Sequence, residues 1–333
     1  MANIFKGTFI YTIGNIVPKA ASLILLPIYT MYLTPSDFGI IEAVQAVSPI
    51  LLILFSFSFG ASIFRLYYDY KTEESKKTFF STVFFATIII STVFLILLWF
   101  LRGFIQDIYK DIPFSPFFFF VIITTYVSNL FDLPQKYLML KDKALAFISL
   151  SLLRFIINAG FILWFIISKE EGASGYLKAG VISSLILLPI YIIISYKIIN
   201  FKFSFSVFKN LLSFSLPIIP TLLSAWVLDL SDRIFIERYF SLAEVGVYSL
   251  SYKIAGIVLI VVTSFGMAYR PLFFKFANMT DIEFGKKEIY KYNYIFLLLF
   301  LLLGFSVSLL SKEIIILLFD VEYIDAYLYI PLI

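Results

Sequence analysis

Lys19, Arg154 and Lys253 each fall near the middle of a long apolar run. A charge at the centre of a membrane helix costs at least about 2.5–3.5 kcal/mol on insertion scales, so each needs an opposite charge or a wet cavity. Their polar neighbours recur at steps of three and four, which keep them on one helical face. Lys19 continues Thr8, Tyr11, Asn15 and Ser22; Arg154 stands with Ser151 and Asn158; Lys253 stands with Ser249 and Gly256. Such faces offer charge-assisted hydrogen bonds to an anion that has left water. The alternative use is structural, each cation pairing with an acid such as Asp132 or Asp229 to hold helices in register.

Other chemistry is thinly supplied. The chain has no Cys and no His, which excludes thiol nucleophiles, imidazole bases and the usual zinc ligands together. The connections between apolar runs are short, so the expectation is no catalytic domain, no enzyme activity and no cofactor. Acids at mid-depth are expected to be missing. Asp229, Asp232 and Arg233, like Glu42 with Gln45, fall near the outer ends of runs, where capping or ion pairing is their ordinary work. Asp229 is the candidate for ion coupling. Arg65 and Arg270 fall at inner ends, where they would anchor the chain or meet an anionic ligand at the entrance.

The elements that position these residues are membrane helices. Hydrophobic residues make up 61% of the chain and charged ones 14%, against about 45–50% and about 25% in soluble domains. Apolar runs long enough to cross about 30 Å of hydrocarbon recur throughout. They predict spans near 8–33, 40–64, 78–101, 114–133, 144–167, 176–196, 211–231, 242–266 and 290–311, with a tenth beginning near Ala326. Helices follow because the bilayer gives the backbone no water to bond. Lys and Arg are in excess in the connections that would be cytoplasmic if the N-terminus is inside, which predicts that orientation. The first run has no cleavage motif of a signal peptide. Pro18, Pro27, Pro217, Pro220 and Gly14 can bend their helices.

The chain also repeats itself. Tyr32-Leu33-Thr34-Pro35-Ser36-Asp37-Phe38-Gly39 has a counterpart in Tyr239-Phe240-Ser241-Leu242-Ala243-Glu244-Val245-Gly246. Each lies after a Pro-containing span and before one that ends in a small-residue turn and an Arg, at Gly60-Ala61 with Arg65 and at Gly266-Met267-Ala268 with Arg270. An even number of spans separates the copies, so they enter the membrane the same way round. That is a parallel repeat, which places a substrate path between the halves.

The stretch from Thr8 to Arg65, with Gly14-Asn15-Ile16, Pro27-Ile28-Tyr29 and the loop from Tyr32 to Gly39, resembles the opening of bacterial polysaccharide biosynthesis flippases. These belong to the multidrug/oligosaccharidyl-lipid/polysaccharide exporter superfamily. The resemblance implies an all-α, MATE-like polytopic bundle in the bacterial cytoplasmic membrane, with lobes at 1–200 and 201–333 and the second stopping inside its fourth span. It implies outward flipping of a polyprenyl-pyrophosphate-linked oligosaccharide, of O-antigen type, by alternating access. Lys19, Arg154, Lys253, Asn15 and Asn158 would then line the substrate cavity. Partners would be the lipid-linked oligosaccharide, membrane lipids and glycosyltransferases or a polymerase of polysaccharide assembly, with no nucleic acid. A cation-coupled multidrug exporter of the same superfamily and an inactive truncated remnant are the alternatives.

Overall fold

The computed structural model describes residues 17, 18, 20–279 and 281–333, without the side chains at 264, 267, 268, 270, 271 and 275. The described residues form helices and connections and no strand. Among the described residues, eight helices are long and apolar enough to cross a membrane, and a shorter apolar one, α1 (Ala20–Tyr32), precedes them. Ala326–Tyr329, where a tenth span was expected, is a four-residue helix continued by a 3-10 turn.

Backbone contacts divide the chain into two compact units, 1–245 and 246–333. The first unit holds α2 (Pro35–Gln45), α3 (Ser48–Ser56), α4 (Phe59–Leu66), α5 (Glu73–Phe100), α6 (Arg102–Ile108), α7 (Phe119–Asn129), α8 (Asp132–Leu140), α9 (Ala144–Leu163), α10 (Gly172–Ile198), α11 (Phe205–Ser215), α12 (Ile219–Leu230), α13 (Asp232–Tyr239) and the start of α14 (Leu242–Ala277). The second holds the rest of α14, α15 (Ile282–Leu309), α16 (Ser311–Leu318) and α17 (Ala326–Tyr329). There the Ser251 hydroxyl donates to the Ala326 carbonyl (2.8 Å) and Tyr248 meets Tyr329 edge to face.

The repeated loop turns out to be the start of a helix in both copies. Thr34 caps α2: its hydroxyl oxygen accepts the Asp37 backbone N–H (3.1 Å), with Pro35 at the first helical position. Ser241 does the same for α14 by accepting the Glu244 N–H (3.2 Å). A small hydroxyl residue followed three places on by an acid satisfies donors that the first turn leaves orphaned. Span two therefore begins at Pro35 rather than near residue 40, and it is broken twice. The second break places Phe57 and Ser58 in the left-handed region, at φ 46° and 58°.

Two apolar clusters fill the ends of the first unit. One, at the Asp37 end, joins α2, α3 and α7 to Tyr109, Ile112 and Val245. The other joins α4, α5, α8 and α11 to Ile198 and Ile199 at the Lys141 end. At the Lys141 end, Lys202 pairs with Glu74 (2.7 Å), Lys76 with Glu73 (3.0 Å) and Arg65 with Asp69 (3.1 Å). At the Asp37 end, Asp37 accepts the Ala173 N–H (3.1 Å). Large side chains such as Ile89, Val93, Ile156, Ile193 and Leu228 stay exposed, as expected where hydrocarbon rather than water is the solvent.

Candidate functional site: a hydroxyl-lined cavity around Arg154

Between the two apolar clusters lies a polar cavity of about 340 Å³. Three helices build it, each with one polar face at helical spacing: Thr124, Thr125 and Ser128 on α7, Ser151, Arg154 and Asn158 on α9, Gly180, Ser183 and Ser184 on α10. Gln45 and Ser48, at the first break in span two, close one side. Residues four apart in a helix stack on the same face, so three such stripes surround one space. Gly180 is part of the fit, since a Cβ there would stand 3.2 Å from the Thr124 hydroxyl oxygen. Among the described residues the Thr124 hydroxyl has no partner.

Of the described residues that line this cavity, Arg154 alone carries a charge. Its Nη2 donates to the Ser128 hydroxyl (2.8 Å), and its guanidinium plane lies over the Phe131 ring (5.3 Å to the centroid). Phe131 stacks on Tyr191 at 4.0 Å between centroids, and Gln135 Nε2 donates to the Tyr191 hydroxyl (3.1 Å). An aromatic shelf thus fixes the cation. Among the described residues no carboxylate lies within ion-pair distance of Arg154. A guanidinium carries five N–H donors, of which the Ser128 hydroxyl takes one.

Arg154 also lines a second cavity, of about 370 Å³, with Ser58, Gly60, Asn129, Asp132 and Lys136. Asp132 pairs with Lys136 (3.6 Å), one turn along α8. Gly60 makes room for this pair: a Cβ there would come within 2.7 Å of Asp132 Oδ2. The expectation that acids would be missing from the cavity walls is corrected here. Asp132, named from the sequence as an acid that could pair with a cation, stands at the start of α8, after a turn that interrupts the span.

The other sequence candidates disperse. Asn158 joins Arg154 and accepts from the Ser183 hydroxyl (2.9 Å). Lys19, Asn15 and the side chain of Arg270 lie outside the described residues, although Pro18, beside Lys19, lines the first cavity. Lys253 lies half-buried on α14 in the second unit. Arg65 is exposed and paired with Asp69. Asp229 is exposed near the end of α12, and its carbonyl accepts from Arg233 Nη1 (3.0 Å). Neither pairing proposed for Arg154, with Asp132 or with Asp229, is present. Sequence reasoning missed Thr124, Thr125, Ser128, Ser183 and Ser184. Their spacing carried the same signal as the Arg154 stripe, without a charge to draw notice.

An uncharacterized membrane protein of Haemophilus influenzae is 22% identical over 303 residues, covering 89% of this chain and 71% of the relative. A second relative from that organism, Lsg locus putative protein 1, is 21% identical over 281 residues, covering 82% of this chain and 66% of the relative. The chain thus spans about two thirds of the length of the latter. No solved structure matches the chain significantly. A family model described as polysaccharide biosynthesis protein matches residues 4–277, and on that match this multi-helix, apolar chain belongs to the polysaccharide biosynthesis protein family.

Proposed function

We propose that this protein is a flippase that carries an anionic, polyprenyl-pyrophosphate-linked oligosaccharide across the cytoplasmic membrane by alternating access. The observation that carries the reading is Arg154: a half-buried cation, with a hydroxyl and a ring as its partners, in a cavity lined by hydroxyls and amides. A partly desolvated cation with no carboxylate in ion-pair distance among the described residues is costly unless water or an anion meets it. A pyrophosphate supplies that anion, and the surrounding hydroxyls suit sugar hydroxyls, which both donate and accept. The lipid tail would stay in the bilayer against the exposed apolar faces. Lys19 and Lys253 would add positive charge along the path, with Arg65 and Arg270 at the entrance.

In this reading the chain forms two MATE-like lobes, 1–200 and 201–333, with the Lys141 end cytoplasmic. The sugar cargo belongs to surface polysaccharide assembly, and glycosyltransferases or a polymerase are the natural partners. A cation exporter of the same superfamily is the weaker reading, because the carboxylate on the cavity wall, Asp132, is already neutralised by Lys136. Binding in nanodiscs separates the two. The protein should bind a polyprenyl-pyrophosphate disaccharide at least tenfold more tightly than the same lipid without phosphate. Preference for a quaternary-ammonium drug over the pyrophosphate lipid would overturn the proposal.

A further inference from the structure

Glu237 is a buried carboxylate between membrane spans and is not among the residues that line the Arg154 cavity. It lies on α13, 1% exposed, and its Oε1 accepts the backbone N–H of Asp111 (2.9 Å) in the connection between α6 and α7. Among the described residues its other oxygen is buried with no partner. That connection is a built structure. Gln106 Nε2 donates to the carbonyls of Tyr109 (3.2 Å) and Ile112 (3.0 Å), and its Oε1 accepts the Phe114 N–H (2.7 Å). One helix earlier, Trp226 Nε1 on α12 donates to the Ala46 carbonyl (2.7 Å), where span two first breaks.

The internal repeat assigns α12 and α13 to one half of the chain, and Ala46 and Asp111 to the other. Glu237 and Trp226 therefore tie the two halves at the Asp37 end. We propose that Glu237 is a latch that holds this end of the transport path shut through the Asp111 backbone. The chemistry suits a bond that must break. A carboxylate on backbone N–H groups is directional, and its unpartnered oxygen makes the closed state sensitive to charge.

Burial pushes the Glu237 carboxyl above the usual carboxylate range, with Asp111 adding to the push, while the Asp111 and Lys110 backbone N–H groups and Arg238 oppose it. Burial, and then the Glu237 charge, push the neighbouring Tyr109 hydroxyl up as well. The other charged residues on the elements in contact are Asp232 and Arg233 on α13, Asp37 and Glu42 on α2, which packs against α13, and Asp107 and Lys110 beside Asp111. The sign follows from linkage. A carboxyl that holds its proton more tightly when buried favours the closed state at low pH, and that preference is lost as pH rises through the raised value.

The absence of native cysteine makes the test direct. Spin labels on Gly103→Cys, where added atoms meet open space, and on exposed Tyr239→Cys report the distance between the two elements by electron–electron resonance in nanodiscs. At about pH 5 the parent should give one short distance, and at about pH 9 a longer population should grow several-fold. Glu237→Gln, neutral and still an acceptor, should stay short at both, and Glu237→Ala should show the long population at both. A parent distance that ignores pH, or a Gln variant that shifts with pH as the parent does, overturns the latch even if the Ala variant fails to fold. The inference rests on the transport reading for its purpose. Its readout needs no substrate, so a failed latch and a failed substrate assignment are told apart.

Discussion

Replacing Arg154 by Gln removes the charge but keeps a polar side chain of similar reach. In the free protein the guanidinium gives one charge-assisted bond to Ser128 at 2.8 Å and stacks over Phe131. A pyrophosphate would take two such bonds in parallel, each worth about 1.5–3 kcal/mol. Giving up the Ser128 bond cancels one of them, leaving a net loss of about 1.5–3 kcal/mol in the variant. At about 1.4 kcal/mol per tenfold, Kd for a polyprenyl-pyrophosphate sugar should rise about 10- to 150-fold. Folding should suffer little, because losing the bond and the stack is offset by no longer desolvating a cation, for a net change within about 1 kcal/mol. Arg154→Lys keeps the charge but not the planar fork and should fall between. The assay is titration of the lipid into protein in nanodiscs, with thermal unfolding alongside. Binding by Arg154→Gln within about twofold of the parent, with an unchanged melting temperature, would refute the assignment of the anion to Arg154.

Three further substitutions test the scaffold by thermal unfolding in one detergent. Gly172 has φ 56° and a Cβ there would stand 2.8 Å from Asp37 Oδ1, so Gly172→Ala should cost about 2 kcal/mol through the left-handed backbone and the displaced Asp37; no loss would mean that this turn relaxes freely. Asn200 accepts from the Ser81 hydroxyl (2.9 Å), donates through Nδ2 to Thr78 (2.9 Å) and bonds Ser81 again through its backbone. Asn200→Ala should therefore cost about 2–3 kcal/mol, and a cost under about 0.5 would show that water replaces these bonds. Ser58→Gly should leave stability equal or higher, since it relieves φ 58° and removes an unpartnered hydroxyl, gains of about 1 kcal/mol each set against the entropy of glycine. A loss above about 1 kcal/mol would show that the Ser58 side chain holds the break.

Much of the membrane-spanning pattern was legible because apolar length and helix length obey the same constraint. The Arg154, Ser151 and Asn158 face was legible too, since a charge in an apolar run draws attention to its neighbours. What the sequence concealed was tertiary. Phe57 and Ser58 are not residues that announce a left-handed break, and Gly60, close by, is needed for space beside Asp132 rather than for the turn. Thr34 and Ser241 could have been recognised as helix caps from an acid three places on, but they read as loop because the apolar run starts later. Glu237 and Arg233 lie among residues that look like an ordinary polar connection, yet they are 1% and 3% exposed. Only packing against other segments buries them, and no local pattern encodes that.

Translocation of a fluorescent polyprenyl-pyrophosphate oligosaccharide in vesicles carrying this chain, beside the chain with Lys19, Arg154 and Lys253 changed to Gln, tests the central claim most directly. The account predicts transfer by the parent and none by the triple variant; transfer at the same rate by both would contradict it.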